Sequence, residues 1–381
     1  MLFHEIQHQE RAVSILRRAL AGGRIHHAYL FEGPEGVGKE TAARVLAAGL
    51  LCLDPRRRPE DEPCGRCDSC RLLKSDNHPD YRLIHRGLHK LHPDKSIRSS
   101  TGLFLVVDLI RHFLIEPATN RPTLGSRRVF LIRDAERMNE EAQNALLKTL
   151  EEPPGAACLI LVTAAAARLL PTIRSRCQRI PFDLLPTAFV AEQLQARCGT
   201  SSAQARALAA LAEGRLGVAI HWQQIDLLAA LDAASASLAD LPSGDTETFG
   251  KRLVDLAAEL AIRARGAAAE DNGDPDEEAT TSSSGKSVAT DELRDALKLV
   301  YLLVAVVHRE ALVHQAGAPA LRVLADLSPR AVPWVQSASL DHLEANLRAV
   351  AEAERMLDRN VAPQLVCERL GIALLGDAPV S

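Results

Sequence analysis

The stretch Tyr29-Leu30-Phe31-Glu32-Gly33-Pro34-Glu35-Gly36-Val37-Gly38-Lys39-Glu40-Thr41 decides the fold of the first half of the chain. A short apolar run enters a glycine-rich turn, and Thr41 to Leu51 reads as a helix. Strand, turn and helix in that order make a phosphate-binding loop. Its glycines let backbone N–H groups approach phosphate oxygens, and Lys39 can reach the β- and γ-phosphates of a nucleotide. Such a loop should close on Ser or Thr, whose hydroxyl coordinates Mg²⁺. Glu40 stands there, with Thr41 one residue late. A carboxylate at that point repels phosphate unless it turns away. Gly33, Gly36, Gly38, Lys39 and Thr41 are therefore candidate nucleotide contacts in a degenerate loop. The plainer alternatives are a tight turn that only packs, or a site that binds nucleotide without turnover.

Outward from this loop, further apolar runs occur at Tyr81–Ile84, Val129–Ile132 and Cys158–Val162, with helical patterns between them. Ala12, Ile15, Leu16 and Leu20 recur at helical spacing upstream. Short buried strands alternating with helices imply a parallel α/β sheet covered on both faces. The second nucleotide element should be an apolar strand ending in acids. Val129–Ile132 is followed by Arg133-Asp134-Ala135-Glu136. Asp134 is the candidate Mg²⁺ supporter, and Ala135 stands where an active ATPase carries the Glu that activates water. Glu136 is expected to point elsewhere, because side chains along a strand alternate faces. General-base catalysis is worth about 10²–10⁴ in rate. Two damaged elements together argue against ATP hydrolysis by this chain.

Cys52, Cys64, Cys67 and Cys70 form C-x11-C-x2-C-x2-C. Three thiolates at two-residue intervals can converge on one ion while the fourth returns across the loop. Four sulfurs in tetrahedral array suit a structural Zn²⁺ with no open position. Free thiols in a surface insertion, or His78 in place of one cysteine, are the alternatives. Cys158, Cys177, Cys198 and Cys367 are isolated and read as small buried hydrophobes.

The 381 residues are 47% hydrophobic and 25% charged, which is globular and excludes wholesale disorder. A net charge of −4 excludes wrapping nucleic acid by bulk charge, and 3% aromatics argue against a base-stacking platform. No run of 18 apolar residues exists to span a membrane, and the first residues lack signal-peptide character, so a cytoplasmic location is expected. After Pro181 the strand signal stops. Residues 183–225 read as short Ala- and Leu-rich helices, and Phe249–Leu260, Leu293–Val313 and Leu340–Leu357 as longer amphipathic ones. Residues 266–290 lack large apolar groups and are expected to form a mobile loop.

Four stretches carry a resemblance to a known family: His27-Ala28-Tyr29-Leu30-Phe31 into the loop, the cysteine cluster followed by His78-Pro79-Asp80, the run Asn144-Ala145-Leu146-Leu147-Lys148-Thr149-Leu150-Glu151-Glu152-Pro153-Pro154, and Ser175-Arg176-Cys177. Their order and spacing resemble the AAA+ clamp-loader family of bacterial DNA polymerase III across residues 1–182. The resemblance implies a RecA-like parallel-sheet domain over 1–182 with a zinc insertion at 52–70, an all-helical lid over 183–225 and a helical collar over 226–381. It implies that Arg176 acts in trans as an arginine finger on a neighbour's ATP; Arg174 and Arg179 lie close enough to compete for the role. Partners implied are the gamma or tau and delta subunits, the beta sliding clamp and primed DNA, within a hetero-oligomer that belongs to a DNA-directed DNA polymerase (nucleotidyltransferase) holoenzyme. ATP and Mg²⁺ would then sit in the neighbouring subunit. Thr163 matches a phosphate-sensing position or simply caps a strand end. Gly217, with Arg215 nearby, stands where active relatives carry a lid arginine. The expected function is a non-hydrolysing stator. The alternative is an ATP-hydrolysing gamma/tau-like motor; a zinc-dependent DNA-binding protein and an AAA+ helicase loader are weaker.

Overall fold

In the computed structural model, residues 2–58, 62–98, 104–272, 290–318, 321–324, 332–359 and 361–376 are described. Five strands, β1 (Ala28–Glu32), β2 (Tyr81–Ile84), β3 (Arg128–Ile132), β4 (Ala157–Thr163) and β5 (Gln178–Pro181), form one sheet in the order β2-β3-β4-β1-β5. Every neighbouring pair is parallel. Alternate residues supply two separate cores, as the period of two requires. Tyr29, Phe31, Val129, Leu131, Ile160 and Val162 face one way, onto helices α1 (Glu10–Ala21) and α2 (Lys39–Leu51). Leu30, Phe130, Ile132, Leu159 and Leu161 face the other, onto Leu109, Ile110, Leu146 and Leu150. Because both faces are covered, β1 and β4 carry nearly unbroken apolar runs.

Four strands fall where the apolar runs predict them. The fifth does not announce itself: only Ile180 of Gln178–Pro181 is buried, since β5 lies at the sheet edge. The helix Glu140–Glu151 opens on Asn139, whose side chain accepts the N–H of Ala142, and stops before Pro153 and Pro154.

The chain divides into two compact units, Met1–Pro186 with Gly214–Gly217, and Thr187–Glu213 with Val218–Ser381. The second is helical, and the expected lid–collar division at 225 is drawn inside it. There Thr246–Asn272 packs against Pro363–Leu375 and Thr290–Gln315, and the Tyr301 hydroxyl meets the Cys367 thiol at 3.2 Å. The segment expected to be a loop, 266–290, is still helical as far as Asn272; residues 273–289 lie outside the described residues. Among the described residues no helix is long and apolar enough to cross a membrane.

Candidate functional site

Gly33, Gly36 and Gly38 all hold positive φ, and Gly38, at +97°, delivers the chain into α2. At Gly33 a Cβ would lie 2.2 Å from the carbonyl oxygen of Phe182, so no side chain fits beside β5. The loop thus has the backbone form its sequence predicts. Lys39 is only 6% exposed. Its ammonium donates to the carbonyl of Gly33 at 2.7 Å and also to that of Pro34. Burial lowers its pKa below the ordinary lysine value, against the charges of Glu136, Glu35 and Asp134.

Glu40 has turned away from the loop, but not into solvent. Arg133, the first residue past β3, donates through Nε and Nη2 to its two carboxylate oxygens, both at 2.7 Å. Arg44 adds a third bond at 3.2 Å and itself holds Asp76 at 2.7 Å. Burial alone would raise the Glu40 carboxyl; the hydrogen bonds and charge of Arg133, with Arg44, outweigh it and hold the group below the usual carboxylate range. Thr41 is exposed, about 100° further round the helix, and its hydroxyl does not replace the missing one.

The end of β3 departs from the strand geometry assumed in the sequence. Arg133 still follows the ladder, its N–H on the carbonyl of Ile84 at 2.9 Å. Asp134 then turns left-handed, φ +51°, and Ala135–Arg137 coil into a tight helical turn. The residue that meets position 40 is therefore Arg133, one earlier than the expected acid. Burial, then the charge of Glu136, pushes the Asp134 carboxyl above its ordinary value. Ala135 is fully buried and can activate no water. Glu136 does not point elsewhere, because alternation has ended before it. Its charge is the strongest acting on Lys39, one oxygen accepts the N–H of Ala164 at 3.1 Å, and the other is buried with no hydrogen-bond partner among the described residues. Thr163 caps its strand end, accepting the N–H of Ala165 at 3.1 Å. Gly217 donates its N–H to the Gly36 carbonyl at 2.8 Å, and a Cβ there would come 3.0 Å from the Gly36 Cα. Backbone lies against backbone where an arginine side chain would need room.

Arg176 ends the helix Pro171–Arg176 with its side chain 35% exposed. Its guanidinium rests on Glu151 at 2.7 Å and on the Thr172 carbonyl at 3.2 Å. Of its rivals, Arg179 is clamped by both oxygens of Glu32 at 2.9 Å, and the Nε of Arg174 is buried.

The sulfurs of Cys52, Cys64, Cys67 and Cys70 all lie within 4.8 Å of one another. Around a tetrahedral zinc, with Zn–S about 2.3 Å, they would stand about 3.8 Å apart. The cluster needs only a small contraction to hold an ion. The amide of Cys67 points at the sulfur of Cys64 at 3.3 Å, and that of Cys70 at the sulfur of Cys67 at 3.4 Å. These donors favour thiolates. Burial opposes ionisation of Cys67, yet the N–H groups of Cys70 and Leu53 and the neighbouring thiols bring it down to about 7. His78 is not a fifth candidate: its Nε2 meets Ser69 Oγ at 2.9 Å and its Nδ1 accepts the N–H of Asp80 at 3.0 Å. Asp80 in turn accepts the N–H groups of Thr123, Leu124 and Gly125 at 2.6, 2.7 and 3.2 Å. His-Pro-Asp is thus the tie between the cysteine helix α3 (Asp68–Lys74), which carries Ser69, and the loop before β3.

With this geometry in view, residues 8–186 match the family described as DNA polymerase III, delta subunit. Among curated proteins, the DNA polymerase III subunit delta' of Pseudomonas aeruginosa is 43% identical over 158 residues, 41% of this chain and 43% of the relative. That of Bacillus subtilis is 36% identical over 186 residues, 49% of this chain and 51% of the relative. Over residues 8–186 the chain is similar to the delta-prime subunits. A gamma/tau subunit of Mycobacterium bovis is also 38% identical over 184 residues, 48% of this chain and 29% of the relative. The chain spans about half the length of the delta-prime relatives it matches.

In this chain the structure brings Lys39, Asp134 and Glu136 within electrostatic reach of one another, and gathers the four cysteines. It leaves Thr41 outside. Sequence reasoning passed over Arg133, although its charge, opposite to that of the misplaced Glu40, was a readable signal. It also passed over Gln143, buried in Glu140–Glu151, whose amide donates to the Met138 carbonyl at 3.0 Å while its oxygen accepts the N–H of Leu170 at 2.8 Å.

Proposed function

We propose that the chain is a non-hydrolysing stator of a DNA polymerase III clamp loader, acting in the cytoplasm. It assembles with gamma or tau and delta subunits and helps place the beta sliding clamp on primed DNA. Its own loop hydrolyses nothing, and Arg176 enters the ATP site of the adjoining subunit, where a guanidinium neutralises charge developing on the γ-phosphate. One observation carries the reading: the Glu40 carboxylate, standing where an Mg²⁺-binding hydroxyl belongs, is held by Arg133. The buried Ala135 and the close approach of Gly217 to Gly36 agree with it. The four-cysteine cluster is read as a structural zinc site that fixes the insertion and takes no part in chemistry.

The test is a reconstituted loader. Arg176→Ala should lower DNA-stimulated ATP turnover by about 10³-fold or more, the range for arginine fingers, with no change in the melting of this subunit. Unchanged turnover would refute the role. The similarity to gamma/tau subunits favours a second reading, an ATP-hydrolysing motor subunit. ATP hydrolysis by the isolated chain would establish it in place of the first.

A further inference from the structure

We infer that Arg133 takes the place of the divalent cation at the loop, so that any phosphate this loop meets, it meets without magnesium. In a working P-loop the cation is bracketed by the hydroxyl after the lysine and by the acid at the end of the neighbouring strand. Here Glu40 stands in the first position, and Arg133, the first residue past β3 and one before the acid Asp134, reaches it in a two-pronged pair. The residues present do not fit Mg²⁺, for three reasons.

First, the ligand is taken. Mg²⁺ seeks near-octahedral oxygen donors. Both oxygens of Glu40 already accept from Arg133, and one from Arg44 as well. Second, the charge is wrong. A guanidinium stays protonated in proteins and its planar fork matches a carboxylate. Arg133 and Arg44 both hold Glu40, so its carboxylate is already matched by two guanidinium charges, and a dication reaching it would have to displace them. Third, no set of substitute ligands stands beside Glu40 among the described residues. Thr41 is exposed, Asp134 follows the strand in a left-handed turn, and Glu136 has one oxygen on the Ala164 N–H, so its remaining unpartnered oxygen is a single donor where an octahedral ion needs several. The pair is an exchange, with the positive charge moved from a bound ion into the chain. This deepens the non-hydrolysing reading by naming what replaces the metal, and the two can fail separately.

The experiment is a titration of the 381-residue chain with a fluorescent ADP analogue, in magnesium and in EDTA. The wild-type chain should bind equally within about twofold in the two conditions, or in neither. In the double variant Glu40→Thr/Arg133→Asp, magnesium should tighten binding by about tenfold or more, roughly 1.4 kcal/mol. Tightening of that size in the wild type overturns the inference, as does its absence in a double variant whose melting temperature is unchanged. Should the variant not fold, the wild-type chain still decides through Mn²⁺ added with ADP. Enhanced water-proton relaxation from Mn²⁺ bound only when ADP is present overturns the inference, and no enhancement upholds it. A chain that binds Mg²⁺·ADP yet turns over no ATP sinks this inference and leaves the stator reading standing; ATP hydrolysis sinks that reading.

Discussion

The four cysteine sulfurs between Cys52 and Cys70 face one another, whereas Lys39 and Glu40 face partners elsewhere in their own chain. Both regions have the backbone form of a binding site. At the cysteines the amides of Cys67 and Cys70 support the thiolates, and the four sulfurs lie within 4.8 Å of one another. At the P-loop, Gly33, Pro34 and Arg133 already occupy the groups a nucleotide and its metal would use. The difference shows that loop form and ligand competence are separable. The backbone is set by local glycines, and competence depends on what the rest of the fold brings to the side chains.

The comparison breaks most visibly at the metal. Cys67→Ser should abolish binding of one zinc per chain in native mass spectrometry, because structural zinc contributes about 10–16 kcal/mol to the sites it closes. Hydrogen exchange across Asp68–Lys74 should then quicken by orders of magnitude while β1 is unaffected. A wild-type chain free of zinc would place the cysteines with the P-loop as form without ligand. Next in size is Asp80→Ala, which strands three amide donors and unties the cysteine helix from the loop before β3. A loss of about 3–5 kcal/mol is expected, and a drop in melting temperature on the order of 10 °C. A drop of a degree or two would mean that the tie is ornamental.

At the P-loop the effects are smaller. Glu40→Gln leaves Arg133 without its counter-charge and should cost about 1–3 kcal/mol near neutral pH. The carboxyl of Glu40 is depressed in the folded chain, so its stabilisation is complete above the unfolded value, about 4.3, and fades as pH falls through the lower folded value. The gap between wild type and variant in chemical denaturation should therefore be flat from neutrality down to about pH 5 and close below about pH 4. A gap that widened on acidification would contradict the ion pair. Smallest is Gly217→Ala, whose Cβ meets the Gly36 Cα at 3.0 Å; about 1 kcal/mol should be lost. If Gly217→Arg instead gained nucleotide affinity, the loop would be less committed to its own partners than the structure indicates.

How much could be read beforehand varied with the kind of signal. Strands β1 to β4 were legible as apolar runs because the sheet is covered on both sides. Strand β5 was not, since an edge strand that buries Ile180 alone has no period to detect. Glu136 was misjudged for a related reason: alternation was extended past a strand that ends at Ile132, and the left-handed turn at Asp134 resets every direction after it. The cysteine cluster was legible because three of its members lie within seven residues, so chain geometry alone brings them together. The part played by His78 was not, because Ser69 and Asp80, its partners, also read as ordinary polar residues.

The amino-acid sequence by itself determined the strand–loop–helix unit, the four thiols and the absence of a hydroxyl at position 40, all consequences of nearby residues and local backbone preference. Only the tertiary structure decided that Glu40 is bound instead of free. Its partner Arg133 lies 93 residues away, and the parallel sheet carries the end of β3 to the start of α2. A charge pair formed across that distance leaves no periodic trace in the chain.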